Sequence, residues 1–164
     1  VTLAEAAAEA DGLAQAGSER ELAQLRSQWD DELEAAARSS DYRDRAVAYR
    51  AIGQFRFRQK LELLRRGLDD ESPACRGSAL ISLELMSRDH PGDVNADRSL
   101  LHKLVSDKEE NGAVRRLAIV CLKNGSPQRE TIVILDGLAA DDDEDRELRA
   151  AARRVADVLR KKGR

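Results

Sequence analysis

Apolar residues recur at steps of three and four along almost the whole chain, and no strand pair or alternating hairpin pattern interrupts them. The spacing predicts helices joined by short turns. A first, alanine-rich helix covers 2–16, with Leu3, Ala6, Ala10, Leu13 and Ala14 on one stripe. Gly17-Ser18 breaks it, and Ser18-x-x-Glu21 has the form of a capping box for a helix reaching about Arg38. That helix carries the stripe Leu22, Leu25, Trp29, Leu33 and Ala36. Beyond the turn Ser39-Ser40-Asp41, helices are expected over 42–54, over 57–68 with Leu61, Leu64 and Leu68 inward, and from a Ser72 cap with Pro73 at the first position to about 88. Asp89-His90-Pro91-Gly92-Asp93 is the longest polar linker. Helices over 97–106, 113–123, 128–139 and 144–162 complete the chain. Ile132-Val133-Ile134-Leu135 could pass for a strand in isolation and is assigned to a helix by its place in the repeat described next.

A pattern comes round four times. Arg45-x-x-Ala48-x-x-Ala51-Ile52 is echoed by Arg76-x-x-Ala79-x-x-Ser82-Leu83, by Arg115-x-x-Ala118-x-x-Cys121-Leu122 and by Arg149-x-x-Ala152-x-x-Val155-Ala156. The arginines are 31, 39 and 34 residues apart, the range of stacked helix pairs. Within each copy the alanine and the small residue three later share one helix face, where small side chains let neighbouring helices approach closely. The residue after them fills the core between layers. Each arginine stands near a helix start, within reach of acidic turns, so stacked repeats would form an arginine–carboxylate ladder.

These residues resemble HEAT-like repeats of the subclass found in phycobilisome (bilin) lyases, over roughly 33–160. The likeness is closest over 45–83, in Ala48-x-x-Ala51-Ile52-Gly53-x-Phe55, Leu61-x-x-Leu64-x-x-x-Leu68-x-Asp70 and Cys75-Arg76. Asp44 stands where an apolar residue is usual, and copies three and four have longer turns. The resemblance implies an all-α solenoid, a right-handed superhelix of helix pairs whose inner helices line a concave surface. It implies no reaction. The expectation is one domain, 1–164, with helices up to residue 38 as an N-terminal cap and the repeats over 39–164.

Composition narrows the function. Aromatic residues make up 3% of the chain and charged residues 36%, as suits thin alanine- and leucine-rich layers. A net charge of −3 argues for no nucleic acid by itself. Charge is nonetheless uneven. Residues 1–36 hold nine acids against Arg20 and Arg26, residues 43–66 hold eight bases against Asp44 and Glu62, and residues 149–164 hold seven bases against Asp157. These stripes read either as contacts between repeats, with the acidic start docked on a basic region of the same or another copy, or as a phosphate-binding track. Tyr49, Phe55 and Phe57 sit near the basic run, although Phe55 has the position of a core residue. Cys75 and Cys121 occupy apolar slots with no paired spacing, which fits buried free thiols in a reducing compartment. No secretory signal or membrane span is visible, so a cytoplasmic setting is expected.

Catalytic chemistry has little to stand on. His90 and His102 begin no metal-binding spacing, and neither a nucleophile elbow nor a phosphate loop is present. The His-Glu pairs of the iron-dependent HEAT-repeat hydroxylase are absent, and no bilin site can be identified. Trp29 lies on an apolar stripe and is expected in the core. Asp141-Asp142-Asp143-Glu144-Asp145 lacks the glycine and spaced ligands of a calcium loop. No metal, cofactor or catalytic residue is assigned. The expected function is a non-enzymatic scaffold holding a protein or peptide partner, acidic in character, on the inner helices. The expected contacts, one, two and five residues after each pattern arginine, include Arg50, Gly77, Ser78, Ile81, Arg116, Leu117, Val120 and Arg154, with Arg43 added. Nucleic-acid binding along the basic stripe is the first alternative, and a bilin-lyase-like or chaperone role the second. Self-association is a further option, because poorly capped solenoid ends are sticky.

Overall fold

Helix starts and stops are written into the chain as side-chain caps. Asp41 accepts from the Arg43 N–H at 2.9 Å, Asn111 from the Ala113 N–H at 2.9 Å, and Asp145 from the Glu147 N–H at 3.1 Å. Each satisfies donors that the first helical turn leaves unpaired. The computed structural model describes residues 1–164, in ten α-helices and one 3₁₀ turn, Arg58–Lys60. The helices are α1 Leu3–Gln15, α2 Glu19–Ala37, α3 Tyr42–Gln54, α4 Leu61–Leu68, α5 Pro73–Ser87, α6 Gly92–Ala96, α7 Arg98–Ser106, α8 Gly112–Leu122, α9 Arg129–Ala140 and α10 Arg146–Lys162. The run Ile132–Leu135 lies inside α9, as the repeat register requires. The chain is all-α and built of helix pairs of the α-solenoid kind.

Two compact units divide the fold, Val1–Met86 and Ser87–Arg164. In the first, α1 packs on both α2 and α3, while α4 pairs with α3. In the second, α7 packs on α8, and α10 lies against both α8 and α9. The repeat pattern marks the core of every copy. Ala48, Ala79, Ala118 and Ala152 are fully buried, as are Ala51, Ser82 and Cys121 at the small-residue slot and Ile52, Leu83 and Ala156 after it. Cys75 and Cys121 are buried free thiols.

Gly53 and Ser82 set the spacing between α3 and α5. A Cβ on Gly53 would meet the Ser82 Cα at 2.6 Å, so only glycine fits while the helices stand this close. The Ser82 hydroxyl accepts from the Gly53 N–H at 3.0 Å and donates to the Tyr49 carbonyl at 2.5 Å. This buried hydroxyl is therefore satisfied on both sides.

Several local expectations need correction. Ser18 makes no side-chain cap. Its N–H donates to the Leu13 carbonyl at 3.0 Å, beside Gly17 at φ +74°, so the residue is held by the motif that ends α1. Trp29 is half-buried rather than in the core, because a ring that large is rarely covered completely. Leu61 is also only half-buried and Leu63 takes an inward place, since the 3₁₀ turn precedes an α-helix that starts at Leu61. The polar linker carries the short helix α6 with Val94 and Asp93 buried, and Asn95 ties it to the turn after α8 through Ser126 at 2.8 Å.

Candidate inner-helix interface

Each pattern arginine bonds a backbone carbonyl in the turn before its helix or in the last residues of the preceding helix. Arg45 donates to the Ser39 and Ser40 carbonyls, both at 3.1 Å, and Arg76 to the Asp70 carbonyl at 2.7 Å. Arg115 donates to the Val105 carbonyl at 2.9 and 3.1 Å, and Arg149 to the Ala139 carbonyl at 3.3 Å. A planar guanidinium fork can do this and still reach a carboxylate. Arg45 forms a two-point pair with Asp70 in the turn of the next repeat, at 2.9 and 3.1 Å. Arg115 meets Glu144 of the following repeat at 2.7 Å, and Arg149 meets Asp142 at 3.2 Å. Hydrogen bonding to Asp70 raises the affinity of Arg45 for its proton. Burial alone would raise the Asp70 carboxyl, but the Arg45 bonds and the Ser72 N–H outweigh it and hold the group below the usual range. The pairing between stacked repeats foreseen in the sequence is thus present at Arg45 and Arg115, while Arg149 pairs within the turn of its own repeat.

Inner-helix positions that escape this frame make the candidate surface. In the first unit, α3 presents Arg43 and Val47, with Arg50 half-buried. Its neighbour α5 presents Ile81, with Ser78 half-buried. Val47 and Ile81 are 37% and 38% exposed. Gly77 is buried, so it offers no contact surface and leaves the expected set. Arg43 is anchored to Asp41 at 3.1 Å, which holds that carboxyl below its usual range. Burial lowers the proton affinity of Arg50, which Asp11 partly restores, and its Nη1 is buried without a protein acceptor. In the second unit, Arg116, Leu117 and Val120 on α8 are half-buried and Arg154 on α10 is exposed.

The basic run of the first unit is largely consumed within the fold, and the C-terminal one in part. Lys60 bridges Asp30 at 2.6 Å and Glu34 at 2.7 Å and lies 5.1 Å from the Phe57 ring centroid. Arg56 pairs with Asp11 at 2.8 Å, and the Arg26 Nε donates to the Phe55 carbonyl at 2.7 Å. The acidic first helices therefore dock on the basic run of their own unit. Tyr49, Phe55 and Phe57 are all buried and cannot stack on bases. Near the C-terminus, Arg160 pairs with Asp136 and Asp157, and Lys162 donates to the Lys123 carbonyl.

The acidic run is likewise occupied. Asp141 takes Lys108 at 3.0 Å, Asp142 takes Arg149, Glu144 takes Arg115, and Asp145 caps α10. No group of three His, Cys, Asp or Glu side chains is arranged to hold a metal ion. His102 hydrogen-bonds Thr131 at 2.8 Å rather than facing a cleft carboxylate. No helix is long and apolar enough to cross a membrane.

Sequence reasoning missed one feature of the first unit. The start of α1, the end of α2 and the start of α3 border an open cleft of about 850 Å³, with Glu32 and Asp44 on its lining. Its only signal in the sequence is the run of small residues Ala35-Ala36 before Ser39-Ser40.

A family model described as HEAT repeats matches residues 30–101, from the second half of α2 into α7. No relative among curated proteins matches the chain. The match reaches the repeat class and does not single out the bilin-lyase subclass. Residues 30–101 are thus similar to HEAT repeats, and the helix pairs and recurring small-residue core continue the same pattern beyond them.

Proposed function

We propose that this protein is a non-enzymatic interaction scaffold holding a protein or peptide partner on the exposed faces of its inner helices. HEAT repeats commonly serve as protein-interaction scaffolds, which is the class-level support. The observation that carries the reading is the α3–α5 face, where exposed Val47 and Ile81 lie among Arg43 and Arg50 on helices locked together by Gly53 and Ser82. A face fixed in advance loses little entropy on binding, so a few anchors can supply the affinity. Apolar anchors beside guanidinium groups suit an amphipathic segment with carboxylates on its flank. Arg116, Leu117, Val120 and Arg154 form the corresponding face of the second unit. Buried free Cys75 and Cys121 support a reducing, cytoplasmic setting.

The test compares partners captured from nuclease-treated native lysate by the wild type, by Val47→Asp/Ile81→Asp, and by Arg116→Glu/Arg154→Glu. Mass spectrometry at low and high salt identifies what is retained. Loss of a discrete protein from the first variant, with its helical signal intact, is the expected result. An unchanged protein set from both variants would remove the inner faces from consideration. Capture that disappears with nuclease and with salt would move the function to nucleic acid.

A further inference from the structure

The cleft of the first unit and the last helix pair of the second carry opposite chemistry. Ala4, Ala35, Ala36 and Val47 give the cleft apolar walls, and its only charged lining residues are the carboxylates Glu32 and Asp44. A volume of about 850 Å³ is ample for several side chains. Internal pairing occupies Asp11, Asp30 and Glu34, while Glu5, Glu9, Asp31 and Glu32 of the same two helices are exposed. On α9, Val133 is 60% exposed, the most exposed large apolar side chain of its unit. Exposed Arg129 stands one turn before it, and exposed Gly137, one turn after, has no side chain to shield it. The companion helix α10 buries its whole apolar stripe and exposes Arg153, Arg154 and Lys161.

We propose that two copies of this chain associate head to tail, the α9–α10 face of one seated on the α1–α2–α3 cleft of the other. Val133 supplies the apolar anchor and Arg129, with Arg153 of α10, meets Glu32 and Asp44. Two different patches meet in this contact, so a dimer leaves one cleft and one α9–α10 face free, and assembly continues with concentration. The complementarity rests on exposed charges outside the internal ion pairs: Glu5, Glu9, Asp31 and Glu32 on α1 and α2 against Arg129, Arg153 and Lys161 on α9 and α10. This contact is independent of the partner surface proposed for α3–α5, apart from Val47 at the cleft edge.

Light scattering after size exclusion, over about 10 µM to 0.5 mM protein, reads the association directly. The expected mass climbs above the 18.2 kDa of one chain as concentration rises, and falls back in about 0.5 M salt, where surface charges are screened. Glu32→Arg/Ala35→Arg blocks the cleft and Val133→Asp spoils the anchor. All three positions are exposed on helices, so circular dichroism should show both variants folded. Each variant alone is expected to stay a monomer. An equimolar mixture is expected to give a dimer and no more, because one variant keeps a good cleft and the other a good α9–α10 face. A wild type that stays at one chain mass throughout overturns the proposal. So does association that survives both variants, or a mixture that stays monomeric while the wild type assembles.

Discussion

Gly53 holds the closest approach between α3 and α5, and its neighbour across the gap is backbone, which cannot turn aside. Gly53→Ala should therefore destabilise the protein by about 2–3 kcal/mol in urea unfolding, although alanine favours helices. A neutral result would mean that the helices separate freely. The Arg115–Glu144 pair is the other sharp case, its side chains 8% and 5% exposed. Glu144→Gln leaves a buried guanidinium without its counter-charge, and the expected loss is on the order of 3 kcal/mol. Asp142→Asn is the control. Its carboxylate is 92% exposed opposite Arg149, so the loss should stay under about 1 kcal/mol. The arginines were legible in the sequence because four copies aligned them. Their individual carboxylate partners were not, because several acids in each turn lie within reach and only packing selects among them.

Two elements end in the same way with different residues. Gly17 closes α1 at φ +74°, and Arg56 closes α3 at φ +50°. The Phe57 N–H donates to the Ile52 carbonyl at 3.0 Å and the Arg56 N–H to the Gly53 carbonyl at 3.0 Å, the paired bonds of a left-handed helix stop. An L-residue is disfavoured there by about 1–2 kcal/mol. The Arg56 side chain offsets this by bonding Asp11 and the Gly53 and Gln54 carbonyls. Arg56→Ala loses those bonds and keeps the strained backbone, whereas Arg56→Gly relieves the strain. Chemical denaturation should rank glycine above alanine by about 1 kcal/mol, and the reverse order would contradict this account. Between α7 and α9 the coupling depends on pH. Burial of His102 lowers its pKa, Glu130 counters this, and Arg98 adds to it. Folding thus favours neutral imidazole. The stabilisation is complete above the unfolded value of about 6.5 and is lost as pH falls from there toward the lower folded value. Melting temperature should drop between pH 7.5 and 5.5, and His102→Gln should flatten that drop. An equal drop in the variant would place the dependence elsewhere.

At the scale of the molecule, the chain divides its charge between internal ties and exposed surface. Asp11, Asp30 and Glu34 fasten the first two helices to Arg56 and Lys60. The net charge of −3 thus conceals local pairing rather than a uniform field. A phosphate-backbone partner would need bases that these pairs already hold. If the inner faces carry the function, Val47→Asp/Ile81→Asp should abolish partner capture while leaving the unfolding midpoint within about 0.5 kcal/mol of wild type, since both positions are surface sites. A variant that loses binding only because it unfolds would show itself in the same denaturation curve.

The sequence by itself determined the helices, their order and the core slots. Periodicity and repeated small residues are local properties, and four copies supplied the register that a single run such as Ile132–Leu135 lacked. Of the positions one, two and five after each arginine, only Val47, Ile81 and Arg154 are exposed, while Gly77 and Ala151 are buried and the rest half-buried. Only tertiary structure decided the rest. Whether Gly77 is covered, whether Trp29 is enclosed, which acid each arginine takes, and that the ends of three helices leave a cleft beside Glu32 all depend on distances between elements. Those distances are set by how side chains interlock across layers, and a one-dimensional pattern does not record them.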